Sequence, residues 1–329
     1  MPYFVHEYVT EKTVMTSGLS FKTNTTNGTA TVVGYTGTDV DVTIPSYFTS
    51  GNVAYKVTGL SASAFAGKNV QSVVLSDYIT VLPDGAFKDC TQLEEVSGYY
   101  TKIGAEAFSG CTALKKYNVT PSITEIGENA FARVDELYVN ALDEEHAIEA
   151  AKAQDPELEG KKLLEAARNI TQNVVNSAVN SGASNITLDI SKIIASTVLT
   201  LNVPEIESFT LQGGLKEYDD LKLSSAAAET TIKEITIHNC TRIPLEISSD
   251  TLKLDAASIE GTGFVLLLNV PAPKISLSRD SRLISIEKEA VVWSNPTIVS
   301  EVVDNAVGTL DITGNVYVYG DITGDSCRI

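Results

Sequence analysis

The side chains of this sequence that could do chemistry are three histidines, four cysteines and forty-two carboxylates. His238 and Cys240 stand two apart on a strand-like run, where alternate residues share a face, so an imidazole and a thiol point the same way. Two ligands fall short of a zinc set, and no HExxH or CxxC spacing supplies the rest. Asp321, Thr323 and Asp325 place oxygens at alternate positions, as a calcium loop does, but the sixth-position glycine and the bidentate glutamate are missing. A polar turn accounts for them. No metal and no cofactor are expected. Glycoside hydrolysis needs two carboxyl groups roughly 5–10 Å apart across one bond. So many acids make such pairs easy to imagine, and no spacing singles one out. Trp293 is the only tryptophan, which argues against an indole-lined sugar groove. No GxSxG, phosphate-loop or GxGxxG motif occurs, and no catalytic residue is nominated.

The elements that position these residues come from a repeat. Ala-Phe recurs at Ala64-Phe65, Ala86-Phe87, Ala107-Phe108 and Ala130-Phe131, with the phenylalanines 22, 21 and 23 residues apart. DGAFKDCTQLEEV (84–96) matches GAEAFSGCTALKKY (104–117), which sets Cys90 over Cys111 and Leu93 over Leu114. A period near 22 residues signals coils that cannot cover their own apolar face and bury it by stacking. Val70, Val73 and Leu75 supply one short strand, and Leu114, Tyr117 and Val119 another; Ile79 and Leu82, or Ile123 and Ile126, then return inward. Cys90 and Cys111 are expected inside the corners as small, reduced, weakly polar residues.

These units resemble the BspA-like class of leucine-rich repeat, over roughly residues 18–140, through their IG-x-x-AF and GC-x-x-L pieces. The unit at 93–108 departs from the pattern, carrying Ser97-Gly98-Tyr99-Tyr100 and running two residues short. The last, FARVDELYV (131–139), loses its Gly-Cys corner. The resemblance implies a secreted or cell-surface protein that binds components of a host or a neighbouring cell.

The expected fold is mainly β: a leucine-rich-repeat solenoid, a helical junction, then a second, irregular β-solenoid-like domain. Residues 1–17 are read as a lead segment, 18–142 as the array with a strand-rich cap, 143–182 as a helical junction and 183–329 as the second β-rich domain. DEEHAIEAAKAQ (143–154) is helical in pattern, and Asp155-Pro156 offers an N-cap and a first-turn proline for the next helix. Its apolar face is Leu163, Leu164, Ala167, Ile170, Val174 and Ala178, and Ser181-Gly182 stops it. Beyond lie short strands from ITLDI to LISIE, with centres such as Leu188, Thr210 and Ile235 at solenoid spacing. The same strand spacing also fits a β-sandwich. DITG recurs ten residues apart near the C-terminal end.

Net charge is −18, so an anionic surface repels phosphate backbones and acidic lipid; neither nucleic acid nor membrane insertion is expected. The opening MPYFVHEYVTEK lacks a signal peptide's basic-then-apolar plan, so a surface location implies a leader removed from this chain. Six N-x-S/T sequons occur, at Asn24, Asn27, Asn118, Asn169, Asn185 and Asn239, and they matter only in a eukaryotic secretory route.

Coil stacking places Glu94, Lys115 and Asp135 in one outward column and Glu95, Lys116 and Glu136 in the next. One reading is a ladder of opposite charges between parallel neighbours. The other adds a partner, protein or glycan, that docks on Glu94, Glu95, Lys115, Lys116 and Asn118, with Tyr99, Tyr100 and Tyr138 as aromatic anchors. The leading function is thus a non-enzymatic, monomeric surface protein for adhesion or ligand binding. The alternative is a carbohydrate-active enzyme or glycan-binding β-solenoid in residues 183–329.

Overall fold

The Ala-Phe repeat becomes a stack of rings. Phe65, Phe87, Phe108 and Phe131 are fully buried and follow one another at centroid distances of 5.4, 5.7 and 5.5 Å, and Tyr35 extends the stack at 5.5 Å from Phe65. The chain turns tightly on both sides of every ring. Ser63, Gly85, Glu106 and Asn129 stand two residues before the phenylalanines, and Gly67, Asp89, Gly110 and Arg133 two after, all with φ between 53° and 79°. That left-handed conformation suits glycine and is tolerated elsewhere only where the surrounding packing enforces it.

The computed structural model describes residues 12–140, 144–192, 197–213, 221–238, 244–248, 251–260, 263–268, 274–277, 281–287, 290–294, 302–303, 309–312 and 322–323. The chain falls into two units, Met1–Lys115 with Glu125–Val134, and Lys116–Thr124 with Asp135–Ile329. Cys240, Asp321 and Asp325, and with them the calcium-like loop and the DITG repeat, lie outside the described residues.

The first unit opens with β1 (Lys12–Thr16), β2 (Leu19–Asn24), β3 (Thr29–Tyr35), β4 (Asp41–Thr43), β5 (Tyr47–Ser50) and β6 (Val53–Leu60). Five of them make a mixed sheet in the order β1-β2-β3-β6-β5, in which only β3 and β6 run parallel. Residues 12–16, read as part of a lead segment, are thus hydrogen-bonded into this sheet. Along the chain follow β7 (Ser72–Val74), β8 (Val81–Leu82), β9 (Glu95–Ser97), β10 (Lys102–Ile103), β11 (Lys116–Val119), β12 (Glu125–Ile126) and β13 (Glu136–Asn140), of which β11 and β13 belong to the second unit. β4, β7 and β9 pair in parallel with Val42, Val73 and Val96 in register. β8, β10 and β12 do the same with Leu82, Ile103 and Ile126. Inside the corners Cys90 and Cys111 are free and fully buried, as expected. Each thiol donates to a carbonyl on the preceding coil, Cys90 to Phe65 O at 2.9 Å and Cys111 to Phe87 O at 3.1 Å.

The second unit is organised by one parallel sheet. β13 pairs directly with β14 (Asn185–Asp189), although α1 (Glu144–Gln154) and α2 (Gly160–Val179) intervene in sequence. The helices are therefore inserted between two neighbouring strands of a continuing ladder. After β14 come β15 (Thr197–Leu201), β16 (Glu205–Gln212), β17 (Leu221–Ser225), β18 (Thr230–His238), β19 (Pro244–Ser248), β20 (Leu252–Glu260), β21 (Gly263–Leu268), β22 (Lys274–Leu277) and β23 (Ser281–Glu287). The last strands are β24 (Ala290–Ser294), β25 (Val302–Val303), β26 (Thr309–Ile312) and β27 (Ile322–Thr323).

Alternate strands go to alternate sheets: β11-β13-β14-β16-β18-β20-β22-β26, wholly parallel, and β15-β17-β19-β21-β23, also parallel, with β24 antiparallel at its end. β25 pairs with β27. Such pairing is unlike the antiparallel sheets of a sandwich. Register differs in detail from the spacing estimate: Leu188 lies opposite Leu211, and Thr210 opposite Thr187 and Thr236. Leu188, Leu211 and Ile237 point inward and are buried.

The helices also correct two sequence expectations. Asp155 does not cap α2; its carboxylate accepts the Glu157 N–H at 3.0 Å in a turn, and α2 starts after Glu159 with no side-chain cap. Two packed helices need such a short connection, and that turn consumes the Asp-Pro signal. Leu164, assigned to the apolar face, is exposed, whereas Thr171, Val175 and Val179 join Ala167, Ile170, Val174 and Ala178 in the core. The buried stripe keeps four of the six expected residues and widens toward Thr171, Val175 and Val179.

Candidate binding face

The outward side of the β11–β16 rungs gathers polar groups that alternation turns away from the core. Lys116 stands opposite Glu136 in the parallel register, and Nζ lies 2.8 Å from Glu136 Oε1. The same ammonium sits 5.4 Å from the centroid of the Tyr138 ring, a cation–π contact. Asn118 is the register partner of Tyr138 and is exposed. Lys116, Asn118 and Tyr138, all nominated from sequence, thus come onto two adjacent rungs.

Tyr138 is held by residues that sequence reasoning did not nominate. Its hydroxyl donates to Asp189 Oδ2 at 3.2 Å and accepts from Gln212 Nε2 at 3.1 Å. Asp189 is fixed in turn by Ser191, whose N–H and hydroxyl donate to Oδ1 at 3.0 and 2.5 Å. Burial, followed by the negative charge of Asp189, pushes the Tyr138 phenol above its ordinary range. The result is a half-buried ring of fixed orientation, flanked by a lysine. Asp189 and Gln212 stood in the strands ITLDI and FTLQG; what hid them was the run of more than forty residues between Tyr138 and β14.

The other nominated residues lie in the first unit. Glu94, Glu95 and Lys115 are exposed there, and Glu95 is the register partner of Ser72. Tyr99 is 64% exposed, but Tyr100 is only 7% exposed and forms part of the core. That is a correction to its role as an anchor. Tyr100 stands three residues before the buried Ile103, as Ile79 stands before Leu82 and Ile123 before Ile126, so the shortened coil puts the second tyrosine in the inward position those isoleucines fill.

One acidic pair on the second unit, Glu205 and Glu207, is bridged by a lysine. Lys233 Nζ lies 3.0 Å from Glu205 Oε1 and 2.6 Å from Glu207 Oε2, and those bonds raise the lysine's own pKa. Among the described residues no group of three or more His, Cys, Asp or Glu is placed to hold a metal ion. His238 is exposed at the end of β18. No helix among the described residues is long and apolar enough to cross a membrane.

Residues 47–149 match the family described as BspA type leucine rich repeat region, in six copies. Solved structures similar to the chain include a leucine-rich repeat protein from Bacteroides capillosus, 28% identical over 40% of this chain and 99% of that one, TM-score 0.36. A leucine-rich cell surface protein from Faecalibacterium prausnitzii is 15% identical over 93% of this chain and 96% of that one, TM-score 0.37. A leucine-rich repeat protein from Bacteroides ovatus is 14% identical over 93% and 90%, TM-score 0.36. Among curated proteins none matches.

Proposed function

We propose, from the match of residues 47–149 to the BspA type leucine rich repeat region, a non-enzymatic cell-surface protein that binds a protein partner through outward strand faces. The parallel coils of each unit are read as solenoids, which display flat, rigid surfaces. The observation that carries the binding site is the Lys116–Glu136–Tyr138 cluster, with Tyr138 locked by Asp189 and Gln212. An aromatic ring already held in one orientation loses little freedom when a partner covers it. Lys116 and Glu136 beside it offer both signs of charge, which favours a protein of mixed charge and makes the association rate salt-dependent. Lys115, Glu94, Glu95 and Tyr99 are assigned to the same function on the first unit.

The test is a screen of the purified chain against arrayed extracellular proteins and glycans, followed by the variants Tyr138→Ala and Lys116→Glu. The expected result is a protein hit weakened by about tenfold or more in each variant, the size of a modest hot spot. A control, Lys152→Glu on α1, leaves it unchanged. Hits that both site variants retain at full strength would remove this face from the function, and hits confined to glycans would replace the protein partner.

A further inference from the structure

A pair of tyrosines meets within the first unit. Tyr47 on β5 and Tyr78 in the turn after β7 are 31 residues apart in sequence, yet their hydroxyl oxygens lie 3.1 Å apart. The rings meet edge to face with centroids 5.6 Å apart. Three contacts hold them there. The residues just before them are bonded, Ser46 Oγ donating to Asp77 Oδ2 at 2.8 Å. Lys56, the cross-strand partner of Tyr47, places its ammonium 3.6 Å from the centroid of the Tyr78 ring. The hydroxyl pair completes the set. Tyr47 is nevertheless 55% exposed, within reach of a diffusing reagent.

We propose that Tyr47 and Tyr78 are a site of oxidative cross-linking, joined as dityrosine by hydrogen peroxide acting through a haem peroxidase. One-electron oxidation removes the hydroxyl hydrogen atom from each phenol, and the two hydrogen atoms reduce one peroxide to two waters. Spin in each phenoxyl radical resides partly on the ring carbons beside the oxygen. Two such carbons form the new carbon–carbon bond, and the hydrogens they carried then move to the oxygens, restoring both hydroxyls. Because the partner ring is already in contact, coupling within one chain outruns encounter between chains. The bond would close a loop of the length that separates the two residues and so restrict the unfolded chain. It would tie the edge strand β5 of the mixed sheet to the first complete coil.

The test treats dilute full-length protein with a haem peroxidase and limiting hydrogen peroxide. Expected are the blue fluorescence of dityrosine, loss of the mass of two hydrogen atoms without a larger species on a denaturing gel, and a cross-linked peptide containing Tyr47 and Tyr78. The midpoint of thermal unfolding should rise. Tyr47→Phe and Tyr78→Phe, each checked for retained circular dichroism, should abolish the product, and Tyr99→Phe should leave it intact. A product mapping to other tyrosines, one surviving in either variant, one only between chains, or none in the native protein overturns the assignment.

Discussion

Asn176 holds Thr200 as a neighbouring strand would: its side-chain oxygen accepts the Thr200 N–H at 3.0 Å, while its amide nitrogen donates to Val198 O at 3.3 Å. One helical turn later Asn180 repeats the pattern, donating to Thr200 O at 2.8 Å and accepting the Asn202 N–H at 2.6 Å. Four helical residues rise about 6 Å, close to the repeat of two residues along a strand. Asn176 in the last turn of α2 and Asn180 at its C-cap, four residues apart, can therefore satisfy the edge of β15, the first strand of its sheet. Unpaired edges invite other chains, so this cap serves solubility as well as stability. The sequence marks only a helical junction here; what covers the strand edge is a ladder of amides.

Asn176→Ala should remove two side-chain hydrogen bonds and Asn180→Ala three, the third to Asn176 O, each variant costing about 1–3 kcal/mol. Urea titration measures the loss. The double variant should also aggregate more readily. Unchanged midpoints in both single variants would show that water replaces the amides without cost.

The glycine of the Ile-Gly pair is set by a close approach between coils. A β-carbon added at Gly127 would lie 2.2 Å from Ala105 N, and one at Gly104 2.5 Å from Asp84 N. Backbone on both sides cannot step aside as a flexible side chain would. Gly127→Ala should cost about 1–3 kcal/mol or more. Gly34→Ala, where nothing stands within 4 Å, should stay within about 0.5 kcal/mol of wild type. Equal unfolding midpoints for the two variants would contradict this coil spacing.

Burial pushes the Cys90 thiol up to about 11 and the Cys111 thiol up to about 12, from an ordinary 9.0. Unfolded thiols therefore lose their protons first as pH rises, and alkali favours unfolding. The stability these thiols contribute is whole below pH 9 and is lost as pH climbs through the folded values. Denaturation of wild type and Cys90→Ala/Cys111→Ala, compared below pH 9 and at pH 11, should show the shallower decline in the variant. In the native state a bulky thiol reagent should label neither cysteine until the chain unfolds. Rapid native labelling of both would refute their burial.

Lys116→Glu should turn the 2.8 Å attraction to Glu136 into repulsion between half-exposed groups. The expected loss is only about 0.2–1 kcal/mol, screened away by salt. Partner binding should fall much further than stability does. A stability loss well beyond that range, with binding unaltered, would make the pair a structural ladder and nothing more.

Much of the repeat array was legible from residue types alone. The 22-residue spacing of Ala-Phe marks the ring stack, and Cys90 and Cys111 mark the corners. Each is a local rule that every coil must obey, so repetition makes it visible. The Lys116–Glu136 pair followed from the same period. Tertiary structure alone decided what depended on register across long gaps. It set β14 beside β13 past two helices, which delivered Asp189 and Gln212 to the Tyr138 hydroxyl. It turned Tyr100 inward through a coil two residues short, started α2 after an Asp-Pro turn that looked like its cap, and brought Tyr47 to Tyr78. Period fixes neighbours one coil apart, but an insertion or a shortened turn shifts the partner without changing local composition, and only packing selects the register that buries the apolar face.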